Sequence, residues 1–334
     1  GEEKIQKDII LSDHEDAVNA LLKELLEQGV INSLDEIKTV GHRIVHGGNL
    51  YSSSVIMNDR VIHEIENISD LAPLHNPANL IGVRAFQKAI PTSIQVGCFD
   101  TAFHQTLKEE DYLYPVPYEW YIKYHIRKYG FHGLSHKFIT EKMTDILGKI
   151  PNLIICHIGN GASISAVKQG KCIDTSMGFT PNAGIMMGTR SGDIDSSIIP
   201  YIMNKCDMTV DEVMNDLNKK SGFLGISGVG SDFRDIYAGV VSGNERCKLA
   251  FDKYVKTVVN YIAQYYVELG GCDILCFTAG LGENASEARL AIMEKLACLG
   301  VKVDLEKNQI RGEEVKLTTD DSSIICYSIP TNEE

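Results

Sequence analysis

At 334 residues the chain has room for two domains with cores of their own. Its 44% hydrophobic and 23% charged residues are those of a globular protein. A net charge of −13, from 32 basic against 45 acidic residues, argues against non-specific binding to nucleic acid or to an anionic membrane. No apolar run approaches a membrane span, no signal peptide opens the chain, and the nine scattered cysteines contain no C-x-x-C pair, so reduced thiols in a cytoplasmic protein are expected.

The elements alternate. Ser12 and Glu15 have capping-box spacing before a helix with Ala17, Val18, Leu21, Leu22, Leu25 and Leu26 on one face, closed by Gly29. A strand is expected over 37–45. Pro77 and Asn79 lead into a short helix near 80–89, and a buried strand over 93–99 ends at Asp100. A helix follows Gly133 to about Leu147. Strands over 153–158 and 163–167 flank a G-N-G turn, with 171–174 as a third. Thr209 and Glu212 cap another helix, and the longest runs over 245–269, where Phe251, Val255, Val258, Val259, Ile262, Tyr266 and Leu269 recur at helical spacing. A strand over 274–277 and a helix over 286–299 complete the series. Strands and helices in alternation predict layered α/β domains.

Two glycine-rich segments, each closing an apolar strand, carry the most chemistry. The first is His157-Ile158-Gly159-Asn160-Gly161, the second Ala279-Gly280-Leu281-Gly282-Glu283-Asn284. Bare backbone N–H groups at a strand's end suit phosphate oxygens. Between and before them lie Gly-flanked Arg, His and Asp residues. Arg43 stands in Gly41-His42-Arg43-Ile44-Val45-His46-Gly47-Gly48, His75 in Leu74-His75-Asn76-Pro77, and Asp100 at a strand end. His132 stands between two glycines, and Arg190 in Gly188-Thr189-Arg190-Ser191-Gly192. Each has an alternative. His42 with His46, and His132 with His136, have a spacing that could hold metal, although a structural histidine is favoured in each case. Asp232 and Arg234 could be a solvated turn, and Arg43 a structural ion pair.

Together these segments resemble the acetate kinase family, within the acetate and sugar kinase/actin-like ATPase superfamily. The matching stretches are GHRIVHGG, LAPLHNPANL, CFDTAFHQTL, YGFHGLSH, HIGNGASISAV, MGFTP, GIMMGTRSGDID, SDFRD, FTAGLGEN and IPTNEE, in order from about Lys38 to Glu334. The resemblance implies an α/β fold of two ribonuclease-H-like (actin-like ATPase) domains with an interdomain active-site cleft. Residues 1–104 would form an acyl-substrate-side domain. Residues 105–334 would form a nucleotide-binding domain whose C-terminus returns toward the first. It implies reversible, direct in-line transfer of the ATP γ-phosphoryl group to acetate, giving acetyl phosphate and ADP, with Mg²⁺, in a homodimer that needs neither nucleic acid nor membrane.

Roles carry over residue by residue. Asp100, His132 and Arg190 would be catalytic. Arg43, Val45, Leu74, His75, Phe131 and Pro181 would bind the acyl substrate. His157, Ile158, Gly159, Asn160 and Gly161 would form one phosphate loop. Asp232, Phe233 and Arg234, with Gly280, Leu281, Gly282, Glu283 and Asn284, would form the nucleotide turns, and Glu333 would be metal-associated. A carboxylate nucleophile is already ionised at neutral pH, so Asp100 is expected to position a metal or an arginine rather than to remove a proton. The alternatives are a propionate or butyrate kinase and, from another class, an inactive nucleotide-binding fragment or interaction module. The family's N-terminal phosphate-binding strand, with its Asn and Gly-Ser-rich turn, and its C-terminal helix have no match in this sequence. A protein bounded strictly at Gly1 and Glu334 is therefore expected to be unstable, to bind ATP weakly, and to leave the strands over 37–45 and 93–99 short of a neighbour.

Overall fold

The computed structural model describes residues 9, 11, 13–73 and 75–331. Leu74 and Glu333 fall outside them. The chain divides into two compact units, Gly1–Ala102 and Phe103–Glu334. Among the described residues no helix is long and apolar enough to cross a membrane.

The first unit is built on three strands, β1 (Thr39–Ile44), β2 (Val55–Ile56) and β3 (Ile94–Phe99), in the order β1-β3-β2. β1 and β3 run parallel, with Arg43 opposite Cys98 and Ile44 opposite Phe99. β3 is paired on both sides, which corrects the expectation that it lacks a neighbour. One sheet face buries Ile44 and Phe99 with Ile65, Leu80 and Val83, and Tyr51 stacks on Phe99 at 4.6 Å. The first helix, His14–Glu27, is capped by Asp13, whose carboxylate accepts from the Asp16 N–H at 2.9 Å; Ser12, the expected cap, lies outside the described residues. Its Val18 and Leu22 pack on Ala85 of the helix Asn76–Ala89. That second helix starts four residues earlier than expected, because Pro77 in its first turn has no N–H to lose.

The second unit carries six strands: β4 (Leu153–Ile158), β5 (Ala162–Lys168), β6 (Lys171–Thr175), β7 (Ile274–Thr278), β8 (Val315–Lys316) and β9 (Ile325–Ser328). Their order is β6-β5-β4-β7-β9-β8. β4, β5 and β6 form antiparallel hairpins, while β4, β7 and β9 are parallel. The three antiparallel strands were legible as apolar runs between turn residues. The helices Gly133–Leu147 and Glu245–Leu269 have the expected bounds, and the Thr209–Glu212 capping box is present in full. Ile139 and Met143 of the first of these helices pack on Leu153, Ile155, Val167 and Cys276 of the sheet. The expected helix over 286–299 is shorter: it ends at Lys295, and a single 3₁₀ turn, Ala297–Leu299, follows before Gly300 at φ +84°.

The parallel pairing of β4 with β7 has the largest consequence for function. It sets His157 opposite Thr278, so both glycine segments leave the same end of the sheet side by side. The carboxyl ends of parallel strands are where α/β folds bind ligands.

Candidate active site

In the first unit, Arg43 and Asp100 form a two-pronged pair. Arg43 Nε donates to Asp100 Oδ1 at 3.0 Å and Oδ2 at 3.2 Å, and Nη2 donates to Oδ2 at 2.7 Å. Parallel register places them together: the Asp100 N–H donates to the Ile44 carbonyl at 3.0 Å, one residue past Arg43. The Asp100 side chain is 3% exposed and that of Arg43 58%. Burial pushes the Asp100 carboxyl above its ordinary value, while the Arg43 fork and then the charge of His75 pull it back. The Val45–His46 backbone is fixed by two side chains whose role the sequence did not reveal. Asn79 Oδ1 accepts from Val45 N–H at 3.1 Å. Asn76 accepts from His46 N–H at 3.1 Å and donates to its carbonyl at 3.0 Å. Gly47 is required there, since a Cβ would lie 2.8 Å from the Phe99 ring. The His42 and His46 rings have separate partners. His42 Nε2 pairs with Gln95 at 2.6 Å, and His46 Nδ1 accepts from the Gly48 N–H at 3.0 Å.

In the second unit, His132 caps the helix Gly133–Leu147 from the left-handed region, at φ +58°. A non-glycine residue held there is strained, and such strain gathers at functional sites. The His132 ring stacks on His157 at 4.1 Å, and its Nδ1 lies 2.9 Å from Ser163 Oγ. Gly161 lies beneath it. A methyl group added at Gly161 would sit 3.4 Å from Arg190 Nη1 and 3.7 Å from His132 Nε2, so both donors look onto the same small space. Arg190 is half-buried and donates to the Pro181 carbonyl at 3.3 Å, and among the described residues no carboxylate pairs with it. Burial lowers its pKa. A guanidinium held without a counter-charge is a place for an anion.

Beside this set is a pocket of about 810 Å³. It collects residues from all three sequence segments expected to hold nucleotide: Gly159 and Asn160, Asp232 to Arg234, and Gly280, Leu281 and Asn284. Three departures from expectation refine it. The second glycine segment is not an open turn but a short helix, Ala279–Asn284, entered directly from β7 because Ala279 adopts φ +64°. His157, Ile158, Gly161, Gly282 and Glu283 do not line the pocket, His157 and Gly161 lying instead beside His132. Ile158 is fully buried, Gly282 backs onto Ile158 and Phe277, and Glu283 accepts from the Thr331 N–H at 2.9 Å. Asp232 and Arg234 do face solvent, at 40% and 89% side-chain exposure, but Asp232 is not in a loose turn. It caps the helix Phe233–Val241 and grips Arg234 through both carboxylate oxygens, which holds its pKa down at about 2. The remaining wall was not anticipated. Phe223 and Tyr237 supply aromatic surface, Phe233 stacking on Tyr237 at 6.0 Å, and Glu287 pairs with Arg311 at 3.2 Å. Gly188 completes the floor, since a Cβ there would lie 2.1 Å from Asn160 Oδ1. The volume falls within the roughly 300–1,000 Å³ of small-molecule sites.

These features have counterparts among known proteins. The acetokinase family model matches residues 1–334. The chain belongs to the acetokinase family. It is 52% identical over 335 residues to an acetate kinase of Acholeplasma laidlawii, covering 100% of this chain and 85% of that one. A crystal structure of Porphyromonas gingivalis acetate kinase superposes with a TM-score of 0.92 at 42% identity, covering 95% of this chain and 81% of that one. A propionate kinase structure from Francisella tularensis gives 0.90 at 43%, covering 96% and 82%. The α/β fold is thus that of the acetokinase enzymes, the two-domain actin-like ATPase fold, and the chain is a kinase that phosphorylates a carboxyl group. Among the described residues no group of three or more His, Cys, Asp or Glu side chains converges as a metal cage. An ion of the Mg²⁺ type does not need one, because it takes one or two carboxylates together with substrate phosphates and water.

Proposed function

We propose that this acetokinase transfers the γ-phosphoryl group of ATP to acetate, yielding acetyl phosphate and ADP. What carries the reading is the convergence of the glycine segments at β4 and β7 on one pocket, with Arg190 and His132 at its side. Nucleotide would occupy the pocket, with its phosphates over the N–H groups of Gly159 to Gly161 and of the helix beginning at Ala279. Arg190 and His132 Nε2 would meet the transferring phosphoryl group. Phosphoryl transfer needs in-line positioning and neutralised charge more than covalent help, and two donors on one small space supply both. Arg43 would hold the acyl carboxylate, with Asp100 fixing the guanidinium plane. Val45, Leu74, His75, Phe131 and Pro181 would surround the short acyl tail. The first unit would thus serve the acyl substrate and the second the nucleotide. A divalent cation, Mg²⁺ in this reading, would neutralise phosphate charge, with Asp100 and Glu333 as its carboxylates.

A homodimer is proposed too. Tyr118, Trp120, Ile122 and Tyr124, all exposed in one short helix, give it a suitable apolar surface. Site of action in the cytoplasm fits the nine free thiols. The similar identity to a propionate kinase favours a second reading in which the two acids are both accepted.

The test is ATP-dependent acyl phosphate formation, trapped with hydroxylamine, across acetate, propionate and butyrate with and without Mg²⁺. Acetate should be best, propionate active and butyrate poor, because one methylene is worth only ~1–3 kcal/mol. A higher kcat/KM for butyrate than for acetate would exclude the acetate assignment.

A further inference from the structure

Four histidines form a chain through the second unit. His104, His136, His157 and His132 follow one another with ring centroids 5.6, 6.1 and 4.1 Å apart. Hydroxyl groups tie them. Ser163 Oγ lies 2.8 Å from His136 Nε2 and 2.9 Å from His132 Nδ1, and Ser135 Oγ lies 2.8 Å from His157 Nδ1.

The protons can be assigned from the buried end. His104 Nε2 is 2.9 Å from the Phe131 carbonyl, which only accepts, so His104 carries its proton there. Burial holds that ring neutral, with a pKa of about 4, and its bare Nδ1 faces the Cys172 thiol at 3.2 Å. His136 is also fully buried, and burial, then the neighbouring His104 and His157, keeps it neutral with one N–H. Its Nδ1 has no hydrogen-bond partner among the described residues, whereas its Nε2 faces Ser163. A buried N–H with nothing to accept it is the costlier orphan, so the proton belongs on Nε2 and is donated to Ser163 Oγ. The single Ser163 proton then points the other way, into His132 Nδ1. With Nδ1 accepting, His132 holds its proton on Nε2, the nitrogen that shares the space above Gly161 with Arg190 Nη1.

We propose that Ser163 is a positioning residue: backed by His136, it locks His132 in the Nε2–H tautomer, so that the ring presents a donor to the phosphoryl group. A hydroxyl with one proton and two imidazole neighbours becomes a one-way connector, because His136 can only give to it. The purpose of the lock rests on the phosphotransferase reading, but its geometry does not. The strained backbone of His132 and its stack on His157 hold the ring in place, and Ser163 decides which nitrogen is the donor. The opposite tautomer would turn a lone pair toward an anionic phosphoryl group.

The test is ¹⁵N NMR of the histidine-labelled full chain, with the His132 signals assigned from a His132→Gln variant. The wild type should show His132 as Nε2–H. Ser163→Ala should convert it to a mixture of tautomers and lower kcat about 10- to 100-fold, the scale of a misaimed transition-state donor, with KM for ATP and acetate little changed. An Nδ1–H tautomer at His132 in the wild type, or an unaltered tautomer in Ser163→Ala, overturns the proposal. Should Ser163→Ala not fold, the wild-type spectrum still decides. Failure of the wild type to make acyl phosphate would instead strike the functional reading and leave the tautomer assignment standing.

Discussion

The two arginines at the centre of this account are held in opposite ways. Arg43, in the first unit, is more than half exposed yet fully engaged, forked onto the buried Asp100 carboxylate. Arg190, in the second, is half-buried yet, among the described residues, its guanidinium meets only the Pro181 carbonyl and the Met187 sulfur. One charge is already neutralised and so is oriented. The other has no counter-charge among the described residues, so its electrostatic attraction remains for a ligand. An arginine that a carboxylate holds is suited to steering a substrate carboxylate into line, and one without such a partner is suited to charge that grows during transfer.

The contrast is broken most sharply at Arg190. Arg190→Ala should lower kcat/KM by ~10³-fold or more, with Tm close to wild type, since no ion pair is lost. Arg190→Lys should recover little of it, because an ammonium does not reproduce the planar fork. Steady-state kinetics beside a melting curve checks both, and near-normal turnover by folded Arg190→Ala would remove the residue from the mechanism.

Acid should affect the two units alike. His46 in the first and His104 in the second are buried neutral, each with its pKa lowered to about 4 by burial. In the unfolded chain each titrates near 6.5, so between those values the unfolded state binds more protons. Stability should be level above about pH 6.5 and fall as pH drops toward 4, by up to ~3 kcal/mol for each histidine. Denaturant midpoints across pH 4–8 measure this, and His104→Gln should flatten the slope. An acid limb no shallower in that variant would contradict the assignment.

Arg43→Ala should differ from Arg190→Ala by costing stability as well as activity, because it strands the Asp100 carboxylate. The loss should be about 2 kcal/mol, below the ~3–5 kcal/mol of a wholly buried pair because Arg43 is largely exposed. Asp100→Asn together with Arg43→Ala should restore part of that stability and none of the activity. An equal loss in the single and double variants would show that the carboxylate is not the reason.

The smallest effect is expected at the acyl tail. Val45→Ala should shift preference from acetate toward propionate by ~1 kcal/mol or less than tenfold in kcat/KM. Competition between the two acids reads it directly, and an unchanged ratio would place Val45 away from the tail.

Much of the molecule was legible because periodicity and punctuation agreed. The stripe over 245–269, the Thr209–Glu212 box and the apolar runs on either side of Gly159-Asn160-Gly161 each carry a local physical signal, and each element stands where that signal put it. Features that depend on distant partners were not legible. Asn76, Asn79 and Ser163 are ordinary polar residues until the fold sets them against the Val45–His46 backbone and against two imidazoles. The second glycine segment misled for a local reason. Glycines signal an open turn, but here it is Ala279 that takes the left-handed conformation, which lets the helix begin at once. The first helix misled by one residue, since Asp13 caps as well as a serine would. The aromatic wall of the pocket, Phe223 with Tyr237, gave no motif because its members are 14 residues apart and meet only through packing around Phe233.

The central claim is that transfer takes place in the space above Gly161, between Arg190 and His132, with nucleotide in the pocket beside it. The measurement that tests it most directly is a crystal structure of the protein with ADP, acetate, Mg²⁺ and a fluoroaluminate standing in for the transferring phosphoryl group. The fluoroaluminate should lie within hydrogen-bond distance of Arg190 and His132 Nε2, with ADP against Gly159, Asp232 and Gly280. Fluoroaluminate bound away from Arg190, or nucleotide outside that pocket, would contradict it.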